Sequence, residues 1–506
     1  MLAETTNGSV VLGISLAVYS LAIVAVGLYS ARYARRSDED YFLAGRSLRS
    51  WMAALSASAS SESGWVTLGL VGWAFANGVE AYWIIPGCLC GFLFNWFVIA
   101  PRLSDRSREL GALTLPDFFA LRFKERFPLI RIISVLVILV AMMLYVAAQF
   151  AAAGKSFSAV FTRVEYWHGV LIGGAIVLVY TVTGGFRAVC WTDFLQALLM
   201  VGTLVVFPIY LLARDGGFGP MLDQLRAVDP QFVYFTKNKT ALVALGFLLG
   251  HGALGINFGY PGQPHVLVRF MSLKSRKEAV LGGVIAFVWG LFVYWGAVTI
   301  GLFARAIAEG GAEWAQQLFE TETKQHELAL VLSAMHMLPG VLSGLVLAAV
   351  LAAICSTADS QLVVAGSSVA SDLYARLVDK SGRTAHLLLN RLTIFILGLI
   401  AVLLVIRQDV EVYKYVLDYG WAILGASFGP QMILALLWRR ASYAGCIAGM
   451  LTGFAGAIVW KLVFNNSLGG VEIYNLPLAF VAALLVNVMV SLLIPSRRDS
   501  AADSGW

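Results

Sequence analysis

Runs of about 20 apolar residues, long enough to cross a ~30 Å hydrocarbon layer as a helix, recur thirteen times along this chain. They fall near residues 9 to 30, 48 to 76, 81 to 100, 128 to 160, 166 to 184, 189 to 213, 240 to 262, 278 to 306, 328 to 366, 387 to 406, 412 to 437, 442 to 463 and 475 to 494. In hydrocarbon a spanning segment must satisfy its own peptide groups, and runs of this length do so as helices. The composition agrees: 59% of residues are hydrophobic, 13% are charged and the mean hydropathy is +0.78, outside the range of soluble domains. The expected class is an all-α polytopic membrane protein of about 13 transmembrane helices.

An odd number of spans puts the termini on opposite sides, and Lys and Arg decide which is cytoplasmic. Arg32, Arg35, Arg36, Arg46 and Arg49, then Arg102 to Arg131, Arg269 to Lys277, and Arg376, Lys380, Arg383 and Arg391 make alternate loops basic, with Arg439, Arg440, Arg497 and Arg498 on the same side. The opposite loops carry Asp215, Asp223, Glu309, Glu313, Glu320 and Glu322. The N-terminus is therefore expected outside and the C-terminus inside. The formal charge of +6 reads as anchoring on an anionic leaflet, since no basic stripe interleaved with aromatics suggests nucleic acid. The first span begins after Glu4 and lacks a small-residue cleavage site, so it is expected to stay as an anchor. Five cysteines, without a C-x-x-C, read as small packing residues.

Two spans are interrupted. The second contains Ser56-Ala57-Ser58-Ala59-Ser60-Ser61-Glu62-Ser63-Gly64, and the seventh contains Gly255-Ile256-Asn257-Phe258-Gly259-Tyr260-Pro261-Gly262-Gln263-Pro264. Irregular backbone at membrane depth is tolerated only where it is buried in protein or lines a cavity. Paired breaks five spans apart are the mark of inverted repeats with a solute or ion site between them. The implied division is 1–47 for the first helix and its cytoplasmic loop, 48–213 and 240–441 for the two repeats, and 214–239 for an external loop. Residues 442–494 form two further helices and 495–506 a cytoplasmic tail.

Carbonyls released at the first break, with serine hydroxyls, are hard ligands suited to an alkali cation, while freed N–H groups suit a carboxylate. Small residues there also permit tight helix packing, which accounts for Ser56 and Ser58 but not for Glu62. Glu62 is either paired, hydrated or protonated at depth, or lies at a helix end in a wet vestibule. In the ninth span Ser356, Thr357, Asp359 and Ser360 share a helical face. These hydroxyls either complete a cation shell with the first break or bond their own helix carbonyls, and Asp359 either holds a second ion or proton or sits near the cytoplasmic end. Asp193, taken alone, is a candidate cap at the start of the sixth span.

Enzyme signatures do not hold. Gly425-Ala426-Ser427-Phe428-Gly429 fits G-x-S-x-G but lies in an apolar helix instead of a strand-to-helix turn. There is no H-E-x-x-H motif and no Walker loop, so no catalytic residue or cofactor is expected and the energy for transport would come from an ion gradient. A solute sensor and a channel are the rival readings; no output domain is apparent for the first, and paired breaks suit alternating access better than an open pore.

Several motifs occur in order from about residue 38 to 494: Asp40-Tyr41-Phe42-Leu43-Ala44-Gly45-Arg46-Ser47-Leu48, Ser63-Gly64-Trp65, Thr114-Leu115-Pro116-Asp117-Phe118-Phe119, Thr183-Gly184-Gly185-Phe186-Arg187-Ala188, Gly262-Gln263-Pro264-His265 and Ser356-Thr357. In these the chain resembles the sodium:solute symporter family, closest to its sodium/proline permeases. The resemblance implies a leucine-transporter-type 5+5 inverted-repeat core in a cell inner (plasma) membrane. It implies sodium as coupling ion, held by the carbonyls of Ala59, Glu62 and Ala353 and the hydroxyls of Ser356 and Thr357. It also implies L-proline or a similar small solute near Ser63, Gly64, Tyr145, Ile256, Tyr260 and Pro264, and a second ion near Asp193, Asp359 and Ser360. The proline permeases it resembles carry aspartate where this chain has Ser61, methionine at Glu62 and tryptophan at Ile256. The acid is thus moved by one residue and a large aromatic is absent from the expected pocket.

Overall fold

The computed structural model describes residues 6–30, 37–236, 241–320, 325–378, 383–468 and 471–495. Arg32, Arg35, Arg36, Glu322, Lys380, Arg497 and Arg498 lie outside them. Among the described residues ten helices are long and apolar enough to cross a membrane. The shorter helix Tyr166–Val182 and the two interrupted spans bring the number to thirteen, because the continuous helical stretch Trp65–Glu109 holds both the C-terminal half of span two and all of span three. The fold is all-α apart from a two-residue hairpin, Ser467–Leu468 with Val471–Glu472, between spans twelve and thirteen.

Span two is a helix from Ser50 to Ser61, leaves helical geometry at Glu62 (φ −98°, ψ 68°), and resumes as a wide turn over Trp65–Leu70 and an α-helix over Val71–Asn77. Span seven is a helix over Ala241–Leu248, a tight helical segment over Leu254–Gly262 containing Pro261, and a helix over Pro264–Met271. Pro261 and Pro264 cannot donate to a helical ladder, so the chain is extended at Gln263 (φ −89°, ψ 103°). Span nine starts later than the apolar run suggests. Ala329–Met337 is a separate helix, because Pro339 holds Leu338 extended (φ −113°, ψ 153°), and the span proper begins at Gly340.

The packing is exchanged between the two sets of five spans. Span two lies on span eight and span seven on span three; span four lies on span eleven and span nine on span six; spans four and nine lie on each other. Each contact of one set therefore has its counterpart in the other, as two repeats related by a two-fold axis require. Span one packs on spans five, six and nine, while spans twelve and thirteen pack on each other and on span eleven. Outward faces such as Leu462, Val463, Leu485, Met489 and Leu492 expose apolar side chains over a large area, which lipid covers.

The crossings are close enough to require glycine. A Cβ on Gly296 of span eight would stand 1.5 Å from the Leu204 carbonyl oxygen of span six, a backbone atom that cannot swing aside. Alanine is ordinarily favoured in a helix interior by about 1 kcal/mol over glycine. Here Gly296→Ala is expected to destabilise by about 1–3 kcal/mol through overpacking, read as a lower thermal midpoint in detergent; an unchanged or higher midpoint would contradict this packing.

Candidate functional site

The centre of the molecule is where the broken span two meets span nine. Because the helix stops at Glu62, the carbonyls of its last turn are released to side chains. The Ser356 hydroxyl donates to the Ala59 carbonyl at 2.9 Å and to the Ala353 carbonyl of its own helix at 3.1 Å. Thr357 donates to the Ser60 carbonyl at 3.0 Å, and the Trp65 indole N–H caps the Ser61 carbonyl at 2.8 Å. Of the five residues the family resemblance implies for sodium, Ala59, Ala353 and Ser356 thus meet at one point, with Thr357 one carbonyl further along. All are fully buried. The donor set is oxygen only, from peptide carbonyls and hydroxyls, which suits a hard alkali cation. Ser356 bonds a carbonyl of its own helix, as one reading of the span-nine hydroxyls expects, and a carbonyl of the break as well.

The Glu62 side chain turns away from span nine. Its carboxylate accepts a hydrogen bond from the Trp289 indole of span eight, with Tyr294 against it. Tyr294 and Tyr260 share a hydroxyl contact at 3.2 Å, and the Tyr260 ring stands edge-on to Phe92 and to Trp421 at 4.9 and 4.8 Å. Glu62 is wholly buried among aromatics, not in a wet vestibule.

Around the start of the break the structure gathers Ser63, Gly64 and Tyr145. Gly64 N–H donates to Gln149 Oε1 of span four at 2.9 Å, and Tyr145, one turn earlier on span four, faces the His265 ring at 6.1 Å. Ile256 enters through its backbone: its carbonyl accepts the Trp421 indole N–H at 2.9 Å. Trp421, from span eleven, thus supplies an aromatic surface beside the position where the resembled permeases carry a tryptophan. Tyr260 belongs with the aromatic group around Glu62, and Pro264 lines a separate narrow cleft with Phe186 and Val364. Gln149 and Trp421 are the additions that sequence reasoning missed; a glutamine within an apolar helix was the available signal for the first.

A buried ion pair lies beside Ser56, toward the N-terminal end of span two. Arg269, counted among loop charges from the sequence, is fully buried on the segment after the span-seven break. It bonds Asp193 Oδ2 at 2.7 Å, Ser360 Oγ at 2.6 Å, Ser56 Oγ at 3.0 Å and the His265 carbonyl. Ser56 also donates to Asp193 at 2.5 Å. Asp193 is therefore no interfacial cap. Asp359, also fully buried, faces Tyr180 of span five. A guanidinium, rather than a hydroxyl or carbonyl cage alone, joins Asp193 and Ser360, two of the three residues suggested for a second ion.

Further buried pairs flank this centre. Lys155, near the end of span four, bonds Glu327 at 2.6 Å and Asp409 at 3.0 Å, and Glu327 also accepts the Tyr413 N–H at 3.0 Å. Arg131, also counted as a loop charge, bridges Asp117 at 2.7 Å and Asp372 at 2.8 Å. His251, in the turn of span seven, bonds Asp418 of span eleven, which also takes Lys461 of span twelve at 2.7 Å. On the hairpin beyond, a hydrogen bond with the His251 ring holds the Glu472 carboxyl below the usual carboxylate range.

Two broken helices crossing between exchanged five-helix sets, with an oxygen-lined junction at the first break, define the core of a secondary transporter. The sodium:solute symporter family model matches residues 41–453. The osmoregulated proline transporter OpuE of Bacillus subtilis is 32% identical over 483 residues, covering 95% of this chain and 94% of that protein. The sodium/proline symporter of Escherichia coli is 34% identical over 492 residues, covering 97% and 94%. Among solved structures, a Na+-coupled sialic acid symporter in a substrate-bound outward-open state shares the fold with a TM-score of 0.77 at 19% identity, over 96% of this chain and 99% of that one. The chain belongs to the sodium:solute symporter family.

The Arg269–Asp193 pair yields a stability test. Breaking a buried pair from one side leaves an uncompensated charge, worth about 3–5 kcal/mol, whereas replacing both partners with apolar residues of similar volume is often neutral. Arg269→Met alone and Asp193→Leu alone are each expected to lower the thermal midpoint sharply, and the double variant is expected to recover much of the loss. Strictly additive losses would show that the two do not act as a pair.

Proposed function

We propose that the protein carries L-proline into the cell together with sodium by alternating access. The observation that carries this reading is the meeting of the Ala59 and Ala353 carbonyls at the Ser356 hydroxyl, which ties the break in span two to span nine. An ion there takes the carbonyls of Ala59, Glu62 and Ala353 and lone pairs of Ser356 and Thr357, whose hydroxyl protons rotate away from the carbonyls they now bond. Sodium so bound fixes the break, and with it the N–H of Gly64 and the walls formed by Ser63, Tyr145 and the Ile256 backbone beside Trp421, where the solute is received. The two repeats, 48–213 and 240–441, rock about this point, with the N-terminus outside and the C-terminus in the cytoplasm. Proline as the solute is supported by the names of relatives 32–35% identical over nearly the whole chain.

Two buried carboxylates, Asp193 and Asp359, share the one guanidinium of Arg269, so the cluster is balanced either by a second cation near Ser360 or by a proton on Asp359. A second reading, proton coupling, is favoured by Glu62, a wholly buried carboxylate against which no basic side chain is set among the described residues.

Uptake of radiolabelled proline into proteoliposomes separates these readings. An inward sodium gradient is expected to drive accumulation, with choline inactive and a proton gradient alone insufficient. Accumulation under the proton gradient alone would overturn sodium coupling, and no uptake under either would overturn proline. Within this reading, Ser356→Ala or Thr357→Ala removes one ligand worth about 1–2 kcal/mol, raising the sodium concentration for half-maximal uptake about ten-fold. Unchanged sodium dependence in both variants, at normal expression, would contradict the site.

A further inference from the structure

Away from the transport path, a cavity of about 430 Å³ lies on the external side between span eight and the segment 218–235. Its volume is in the range of small-molecule sites. Trp295 and Leu302 of span eight form one wall, and Phe218, Met221 and Leu222 of the helix Phe218–Val228 form the facing one. None of its wall residues carries a charge, and the lone hydroxyl among them, on Tyr82, is engaged with Thr299 Oγ1 at 2.9 Å. Apart from the single indole N–H of Trp295, such walls give no partner to an ion, a carboxylate or a sugar, and most of the cost of desolvating any of these there would go uncompensated. The occupant they suit is hydrocarbon.

Two placements say which hydrocarbon. On span eight, Val284, Val288 and Phe292 are 50%, 47% and 49% exposed, and residues 295, 299 and 302 continue the same helical face at spacings of three and four. The stripe that meets lipid lower in the span therefore runs directly into the cavity. Trp295 and Leu302 lie roughly 21 and 10 Å below the helix end at Glu309, at 1.5 Å per residue. The outer wall also turns apolar groups outward, with Val228, Tyr234 and Phe235 48%, 54% and 58% exposed. The Trp83 indole, bonded to the Phe235 carbonyl at 2.9 Å, marks the level where tryptophans anchor at a membrane interface.

We propose that this cavity binds one acyl chain of an outer-leaflet phospholipid, entering along the exposed face of span eight. The chain braces the transport core from outside. Gly78, at the outer end of span two, has φ +78°, and a Cβ on it would lie 2.5 Å from the Phe232 carbonyl oxygen, so the external segment and the end of span two meet backbone to backbone. An occupied cavity holds that segment, and the outer half of span two with it, against span eight.

The test uses the full-length protein in phosphatidylcholine vesicles carrying a small fraction of phosphatidylcholine with a photoreactive diazirine near the end of one acyl chain. Adduct positions are then mapped by peptide mass spectrometry. Label is expected on residues 218–222 as well as on the lipid-facing Leu291 and Phe292. Leu222→Trp, which fills the cavity, is expected to reduce the former several-fold and leave the latter unchanged, with the thermal midpoint of the variant measured alongside. Label confined to residues 284–292 in the wild-type protein would overturn the proposal whether or not the variant folds, and so would equal labelling of 218–222 in a folded Leu222→Trp. A parallel arm uses a diazirine fatty acid at the same concentration in unlabelled vesicles. Capture of the free acid at 218–222 without capture of the phospholipid would assign the cavity to a soluble apolar solute and overturn the lipid assignment.

Discussion

The rest of the structure depends on the peptide carbonyls that span two releases when it stops being a helix. At membrane depth no water takes up such groups, and each left unsatisfied costs several kcal/mol. Ser356, Thr357 and Trp65 take them up one after another from Ala59 to Ser61, so the break is held by hydroxyls of span nine and by its own indole. A hydroxyl can give a proton to a carbonyl or a lone pair to a cation, but the same carbonyl cannot serve both equally well. The junction is therefore stable as it stands, and in the proposed mechanism the same oxygens are the ones that a small cation takes over.

Around this junction the protein buries charge in a way that a static pore would not need. Arg269 with Asp193, Lys155 with Glu327 and Asp409, Arg131 with Asp117 and Asp372, and His251 with Asp418 and Lys461 each join different spans or the loops next to them. Buried pairs contribute little net stability over apolar packing, yet they are costly to half-break. They favour discrete arrangements over graded ones, as expected of elements that exchange partners while two repeats rock. Glu62 is bonded to an indole instead of a cation, and it marks where this chain departs from the proline permeases it resembles.

Much of the fold was legible because lipid imposes a rule that a sequence must display: about 20 apolar residues per span, broken only where protein covers the break. The breaks themselves were visible as Ser56 to Gly64 and as the glycines and prolines from Gly255 to Pro264, and the convergence of Ala59, Ala353 and Ser356 follows from placing span two against span nine. What stayed hidden depends on direction. Arg269 sits where charge counting expects a loop anchor, and only the break at Gln263, with the helix Pro264–Met271 that follows it, sets it against Asp193. Trp289 is indistinguishable in sequence from a lipid-facing tryptophan until span eight is laid against Glu62. Pro339, near the start of an apolar run, signalled that span nine begins at Gly340, a signal outweighed by the unbroken hydropathy. Lys155, near the end of a 32-residue apolar helix, was the clearest overlooked signal, since a lysine at that depth requires a partner.

The central claim is that sodium and solute are coupled through the opened turn of span two. Linkage makes this testable without transport: if sodium tightens proline binding by some factor, proline must tighten sodium binding by the same factor. Equilibrium binding of labelled proline to the purified protein, titrated with sodium at constant ionic strength in potassium, measures the first; binding of radioactive sodium with and without proline measures the second. Coupling through the opened turn predicts a mutual increase of about ten-fold or more, equal in the two directions, corresponding to ~1.4 kcal/mol. Proline affinity that is the same in sodium and in potassium would contradict it.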